Sequence, residues 1–176
     1  MCYPDPRYLG DTGEISALLR QAQQGPDLAT RAGAYHYLAK GAATEERFGL
    51  YRVDMRPQVP GANPHFHRTF SESFFVLSGT VSLFNGDRWT EAKEGDFLYV
   101  PEGGIHAFRN DSENPASLLL IFAPGVPREE YFETLAKMAA GTQLSEEEFA
   151  TLCIRHDNYL IDPKSQALYK KLLSGK

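Results

Sequence analysis

The 176-residue chain has only two cysteines, Cys2 and Cys153, one near each end. Two distant thiols do not make the disulfide framework of a small secreted protein, so we expect a reducing compartment. The first six residues lack the charged start and apolar run of a secretory signal. No stretch approaches the roughly 18 to 20 apolar residues that a membrane helix requires. These absences predict a cytoplasmic protein with no membrane partner.

Clusters of basic residues are also missing. The net charge is −5, and no run of lysine or arginine could neutralise a phosphate backbone, so nucleic acid is not expected as a partner. With 42% hydrophobic and 23% charged residues, the composition is typical of a soluble globular protein. The length suits one domain with a sizeable core.

Short strand patterns fill the middle of the chain, residues 34–123. Runs rich in aromatic and β-branched residues occupy 35–38, 48–53, 73–77, 80–84, 88–90, 97–100, 105–108 and 117–122. Between two of them, Asn85-Gly86 predicts a hairpin with a type I′ turn, because both residues tolerate positive φ. About eight short strands without a long helix between them predict a closed or doubly layered antiparallel fold.

The flanking segments predict short helices. Residues 1–33 form an arm followed by a helix from Gly13 to Gly25-Pro26, with one apolar stripe made of Ile15, Leu18, Leu19 and Ala22. Residues 124–176 predict three helices: one from Pro127 to Gly141, one opened by the Ser145/Glu148 capping box, and one over 165–173. These segments are too small to be domains, so we expect a single domain whose C-terminal extension covers an edge or mouth of the barrel.

Four side chains form a candidate metal site. His65 and His67 lie two residues apart, so both rings project from the same face of an extended strand. Glu72 follows after a corner, and His106 comes from a later segment that must fold back beside them. Three imidazoles and one carboxylate suit a divalent transition metal ion with coordination positions left open. His36 and His156 have no other candidate ligands near them in the sequence and are expected to be ordinary surface or core histidines.

The two motifs that carry these ligands resemble those of the cupin superfamily. The first comprises His65, His67, Glu72 and, after six intervening residues, Gly79; the second comprises Gly95, Pro101, Gly103, His106 and Asn110. One departure is Gly61, which lies nearer to His65 than the family pattern has it. The resemblance implies an all-β fold, a small β-barrel or jelly roll with one Fe, Mn, Ni, Co or Zn ion inside, and it favours metal binding over a barrel that has lost its metal. Barrels of this kind commonly pair through edge strands, so we also expect a homodimer.

Counting outward from the ligands predicts a substrate pocket. If Glu72 points into the barrel, the alternation of a strand sends Phe74 and Val76 inward as well, and the same count from His106 gives Phe108. An apolar wall beside a metal suits a flat, oxygen-bearing small molecule. Filling of the barrel core is the competing explanation for these three side chains.

The predicted site leaves three functions open. Three neutral imidazoles and one carboxylate give a divalent ion a net charge of +1, which favours an anionic oxygen such as an enolate or phenolate. The leading hypothesis is a dioxygenase similar to the single-domain quercetinases (quercetin 2,3-dioxygenase-like), with Glu72 as a metal ligand and possible general base. The second is a non-oxidative Lewis-acid isomerase or polyketide-type cyclase, and the third is a non-catalytic small-molecule-binding protein.

Overall fold

The computed structural model describes residues 3–175. Cys2, one of the two thiols, lies outside the described residues, and Cys153 is a buried free thiol. None of the helices in the described range is long and apolar enough to cross a membrane.

Eleven strands are present among the described residues, together with one short 3-10 helix and three α-helices. The strands are β1 (Leu28–Ala29), β2 (Gly33–Ala39), β3 (Gly49–Met55), β4 (His65–Phe66), β5 (Ser71–Ser78), β6 (Thr80–Phe84), β7 (Trp89–Lys93), β8 (Phe97–Val100), β9 (Ala107–Arg109), β10 (Ala116–Ala123) and β11 (Tyr159–Leu160). The 3-10 helix is Gly41–Thr44, and the α-helices are α1 (Glu129–Ala139), α2 (Glu146–Arg155) and α3 (Pro163–Ser174).

The strands form antiparallel sheets around one buried core. The largest sheet has the order β1-β2-β3-β10-β5-β8, and a second has the order β7-β6-β9. Side chains from both sheets, such as Tyr51, Phe74 and Val81, belong to the same buried cluster. Along β3, buried residues alternate with partly exposed ones, as a strand with one face on a core requires. The all-β jelly roll predicted from the sequence is confirmed.

The hairpin between β6 and β7 differs from the predicted turn. Phe84 pairs with Trp89, so the loop has four residues rather than two. Gly86 has a φ of 90°, but Asn85 does not adopt positive φ. Instead, the Asn85 Oδ1 atom accepts hydrogen bonds from the backbone N–H groups of Asp87 and Arg88, at 3.1 and 3.0 Å. The hairpin prediction is confirmed and the type I′ turn is wrong, because the Asn85 side chain organises the loop instead.

The helix predicted from Gly13 is also wrong. Residues 3–27, here called the N-terminal segment, contain no helix or strand. The apolar stripe contacts little: Leu18 is 85% exposed and Leu19 is 82% exposed. A helix of about ten residues is marginal in water unless an apolar face packs against something. The periodic pattern is present in the sequence, but the described chain offers that stripe no partner.

The C-terminal residues lie against the barrel. Helix α1 begins at Glu129, two residues after Pro127, and the Phe132 ring stacks on Tyr35 of β2 at a centroid distance of 4.9 Å. The capping box of Ser145 and Glu148 opens α2 as predicted. Strand β11, which the sequence pattern missed, pairs with β4, with Leu160 opposite His65. The C-terminal extension therefore touches the strand that carries the first candidate ligand.

Candidate metal centre and cavity

The barrel brings the four predicted ligands together. His65 lies on β4, Glu72 on β5, and His106 directly before β9, while His67 follows β4. His65 and His106 are held opposite each other by two backbone hydrogen bonds of 3.0 and 2.9 Å. All four side chains are buried, and one ligand atom from each lies within 4.8 Å of the others. Separated pieces of backbone thus converge on one point inside the barrel.

Backbone carbonyls fix the orientation of all three imidazoles. Nδ1 of His65 lies 2.7 Å from the Asn63 carbonyl oxygen, and Nδ1 of His106 lies 2.9 Å from that of Gly104. Nδ1 of His67 lies 2.6 Å from the carbonyl oxygen of Asp157. A carbonyl oxygen only accepts hydrogen bonds, so each Nδ1 must donate. Each Nε2 is then the nitrogen left to bind a metal, as in metal-bound histidines whose other nitrogen donates to a fixed acceptor.

The contacts of Glu72 fit an ion at the centre of the group. Its Oε2 lies 3.0 Å from Nε2 of His67 and 2.9 Å from Nε2 of His106. With each Nδ1 protonated, contacts this short between Nε2 and a carboxylate oxygen need either a second proton on the ring or a cation among the atoms. Ligand atoms bonded at about 2.0 to 2.2 Å to a transition metal stand roughly 3 Å apart. The group could therefore hold a metal ion.

The pKa values follow from the mutual burial of these groups. Burial raises the pKa of the Glu72 carboxyl, but hydrogen bonds from His106 and His67 outweigh it and hold the pKa below its usual value. Burial, together with the charges of His106 and His67, lowers the pKa of His65. For His106 burial acts in the same direction, but hydrogen bonding to Glu72 prevails and raises its pKa. Glu72 is thus held as a carboxylate, the form that binds a metal.

Asn110, the last residue of the second motif, supports the loops around the site without contributing a ligand. Its buried amide donates to the carbonyl oxygens of Arg56 and Asn114, at 2.9 and 2.8 Å. Its Oδ1 accepts from the backbone N–H and the hydroxyl of Ser112. Every polar group of this side chain is used by neighbouring backbone or hydroxyl partners, as expected for a buried structural asparagine.

A cavity of about 320 Å³ adjoins the ligand group. His65 and Glu72 lie in its wall, and the rest of the wall is mostly apolar, including Val53, Phe132 and Leu135. Such a space suits a small ligand with an apolar body. The cavity lies between the large sheet, α1 and the loop before β4. Of the β5 residues, Glu72 lines it, whereas Phe74 and Val76 do not.

The three predicted pocket residues fall in different places. Phe108 lies in the cavity wall. Phe74 and Val76 are completely buried and lie outside that lining, in the barrel core. The Phe74 ring packs 5.6 Å from the His106 ring and 5.7 Å from the Phe108 ring, measured between centroids. Core filling, the explanation kept open by the sequence, describes the positions of Phe74 and Val76.

Several residues at the site were missed from the sequence. Arg128 and Asn158 line the cavity together with Tyr35. Asp157 accepts from His67 through its backbone carbonyl, and its carboxylate accepts from the backbone N–H groups of Arg68 and Thr69. Asp157 has a φ of 50°, which is uncommon for a residue other than glycine. Arg128, Asp157 and Asn158 reach the site from the C-terminal extension, where no periodicity or motif marks them, whereas Tyr35 reaches it from β2.

Comparison with known proteins now identifies the family. Residues 51–122 match the family Cupin_2, described as a cupin domain. This segment of the barrel is a cupin domain. The matched segment carries His65, His67, Glu72 and His106, and it ends at Phe122 in β10.

The curated relatives match only part of this chain. An uncharacterized protein of Aquifex aeolicus is 39% identical over 61 residues, 35% of this chain and 50% of the relative. Quercetin 2,3-dioxygenase of Bacillus subtilis is 31% identical over 71 residues, 40% of this chain and 20% of the relative. The chain thus spans half or less of these curated relatives. The polyketide cyclase RemF from Streptomyces resistomycificus superposes with a TM-score of 0.50 at 18% identity, over 72% of this chain and 98% of RemF, which shows the shared fold.

Proposed function

We propose that this cupin is a metal-dependent dioxygenase that acts on an oxygenated aromatic or enolisable small molecule. The observation that carries the proposal is the junction of two features: a buried His₃Glu group and a mostly apolar cavity of about 320 Å³ that opens onto it. The partial match to a quercetin 2,3-dioxygenase supports the same class of substrate.

The chemistry divides between the bound ion and the protein. A divalent ion held by His65, His67, Glu72 and His106 would supply positive charge that favours the ionised form of a substrate hydroxyl. The apolar wall, with Phe108 and Phe132, would bury a flat ring and exclude water from it. The Glu72 carboxylate lies at the cavity wall, and we assign to it the acceptance of the proton that such a hydroxyl gives up.

Oxygen consumption is the direct test. Protein loaded with Fe, Mn, Ni or Co is mixed with quercetin, simple catechols and 1,3-diketones, and O₂ uptake is measured with an electrode. We expect uptake matched by substrate loss with at least one metal, and a fall of at least about 100-fold in Glu72→Gln. Glu91→Gln, an exposed substitution on β7, is the matched control and should keep full activity.

The remaining outcomes separate the other hypotheses. Zero uptake over the whole panel with every metal would overturn the dioxygenase proposal. Substrate conversion that persists under strict anaerobiosis would instead support a Lewis-acid isomerase or a cyclase. Tight binding without conversion would support a non-catalytic binding protein.

A further inference from the structure

Arg128 is a buried cation surrounded by aromatic rings. It lies between β10 and α1 and is only 3% exposed. Its guanidinium carbon lies 4.5 Å from the ring centre of Tyr131 and 5.4 to 5.7 Å from those of Phe70, Phe122 and Phe132. Arginine keeps its charge at any pH at which proteins are stable. The interior of this cupin therefore contains a permanent positive charge.

None of the hydrogen bonds of Arg128 goes to a carboxylate. One terminal nitrogen donates to the backbone carbonyl of His156, and the other donates to Oδ1 of Asn158 at 3.3 Å. Both acceptors are neutral. The buried Nε has no hydrogen-bond partner, and within residues 3–175 no carboxylate forms a salt bridge with this guanidinium. A buried charge with no carboxylate in direct contact and one unsatisfied N–H group is unfavourable for folding, which points to a ligand that completes the site.

Arg128 faces the same cavity as two of the four candidate metal ligands. Arg128, His65 and Glu72 all belong to its wall. Phe122, one of the rings under the guanidinium, lies directly opposite Glu72 in the pairing of β10 with β5. Phe70, another of these rings, stacks on the His67 imidazole with a centroid distance of 4.1 Å. Phe122 and Phe70 are thus neighbours of both the guanidinium and a candidate metal ligand.

The charges around the cavity favour an anion. Glu72 contributes one negative charge, which a divalent ion in the His₃Glu group more than balances, and Arg128 adds a further positive charge. Asp54 also lines the cavity, but Arg52 forms two hydrogen bonds with its carboxylate, at 2.7 and 2.8 Å. With the ion bound, the cavity would carry about two positive charges beside an apolar wall.

We propose that Arg128 binds a carboxylate of the substrate, so that this cupin selects phenolic or enolic acids over neutral phenols and enols. The substrate hydroxyl would lie at the His₃Glu group, the carboxylate at the guanidinium, and the ring against the apolar wall. This inference rests on the proposed function in placing the substrate in that cavity. Arginine is suited to the role because its planar fork of N–H groups matches the two oxygens of a carboxylate.

A matched ligand pair tests the inference by binding. The affinities of 3-hydroxy-2-naphthoate and 3-hydroxy-2-naphthamide for the metal-loaded full-length protein are measured by isothermal titration calorimetry. These probes share the ring and hydroxyl and differ in charge. We expect the naphthoate to bind at least about tenfold more tightly, and Arg128→Gln to reduce that preference to within about twofold. Arg109→Gln is the control, because Arg109 lies over Trp89 and pairs with Asp111 on the outside of the barrel.

Two results would overturn the inference. Equal affinity of the wild-type protein for the two probes would do so without any variant. Unchanged preference in a folded variant would show that the metal alone selects the carboxylate. If circular dichroism shows that Arg128→Gln does not fold, Arg128→Lys replaces it; this variant keeps the charge but loses the fork, and it should lower the preference at least threefold.

The calorimetry does not depend on turnover, so the two proposals can fail separately. A naphthoate preference that depends on Arg128, in a protein that consumes no O₂, would support the anion site and count against the dioxygenase. Oxygen uptake with neutral flavonols, together with equal affinity for the two naphthalene probes, would support the dioxygenase and count against the anion site.

Discussion

The barrel strands and the N-terminal segment contain apolar residues at equally regular spacing, yet they fold differently. On β5, Phe74 and Val76 have no exposed surface, whereas Leu18 and Leu19 are each more than 80% exposed. The strand residues meet a second sheet that supplies a complementary apolar face. The N-terminal stripe meets no such face. Periodicity therefore predicts an element reliably when the same chain also provides the surface that buries it.

Among substitutions in the barrel and in the N-terminal segment, those of the metal ligands should have the largest effect. His106→Ala removes one of the four ligand atoms from a completely buried position, so metal affinity should fall by more than about 100-fold. Metal content after purification and competition with a fluorescent chelator measure the loss. His36→Ala is the control, because His36 contacts Asp54 and lies outside the ligand group. Full metal occupancy in His106→Ala would contradict the assigned site.

The core of the barrel should show the next largest effect. Phe74→Ala leaves a cavity in the barrel interior and should lower the free energy of unfolding by about 3 to 5 kcal/mol. Phe97→Ala, an exposed position on the same sheet, is the matched control and should change it by less than about 1 kcal/mol. Urea unfolding followed by tryptophan fluorescence measures both. Similar losses at the two positions would remove the contrast between buried and exposed aromatic residues.

A smaller effect on the site should come from outside the matched cupin segment. Asp157→Ala removes the carboxylate that holds the backbone at Arg68 and Thr69, beside the ligand His67. Misorientation of the His67 ring should lower metal affinity about tenfold. Asp157→Asn keeps an acceptor oxygen and tolerates positive φ, so it should retain most of the affinity. Equal affinities of the wild-type protein and the alanine variant would mean that this contact does not position His67.

The stability of the barrel should depend on pH through Asp54 of β3. Burial raises the pKa of its carboxyl, but hydrogen bonds from Arg52, Ser117 and His36 outweigh it and lower the pKa in the folded state. The contribution of this carboxylate is therefore present above the unfolded pKa of about 3.9 and is lost as pH falls through the lower folded pKa.

Urea unfolding of wild-type protein and Asp54→Asn at pH 7, 5, 4 and 3 tests this direction. The stability difference between them should be largest at pH 7 and shrink below about pH 4. Asp11→Asn, in the exposed N-terminal segment, is the control. A difference that grows on acidification would show that the sign is wrong.

The smallest effect is expected in the N-terminal segment. Replacing both Leu18 and Leu19 with serine should change the free energy of unfolding by no more than about 0.5 kcal/mol, because both side chains are already exposed. This expectation would be wrong if the homodimer predicted from the sequence forms through the N-terminal stripe. If a second copy covered the stripe, the double variant would sediment as a monomer under conditions where the wild-type protein does not.

The sequence predicted the parts of the structure that local spacing determines. His65 and His67 are separated by one residue on an extended backbone, so their common direction follows from strand geometry. Strands β6 and β8 were predicted at their observed bounds, because turn residues flank short apolar runs. The Asn85 turn was wrong because a side chain, rather than backbone preference, organises the loop.

The missed parts of the site depend on contacts between distant segments. Arg128 follows Pro127 at the start of a predicted helix, where a charged residue usually means a solvated helix end. Its burial follows from the aromatic rings of three separate segments, which include Phe70 and Phe122. Strand β11 has only two residues and pairs with β4 across more than ninety positions of sequence, so no local pattern could reveal it. Tertiary packing supplied this information.

Through the hydrogen bond from His67 to the Asp157 carbonyl, the C-terminal extension orients one of the candidate metal ligands. The recognised cupin segment ends at residue 122, so a barrel trimmed there would keep every ligand and lose the clamp on one of them. Substitutions in the C-terminal extension could change the metal affinity while leaving both motifs unaltered. Two proteins with identical motifs need not share a metal preference, and grafting this site onto another scaffold would require carrying the C-terminal extension along.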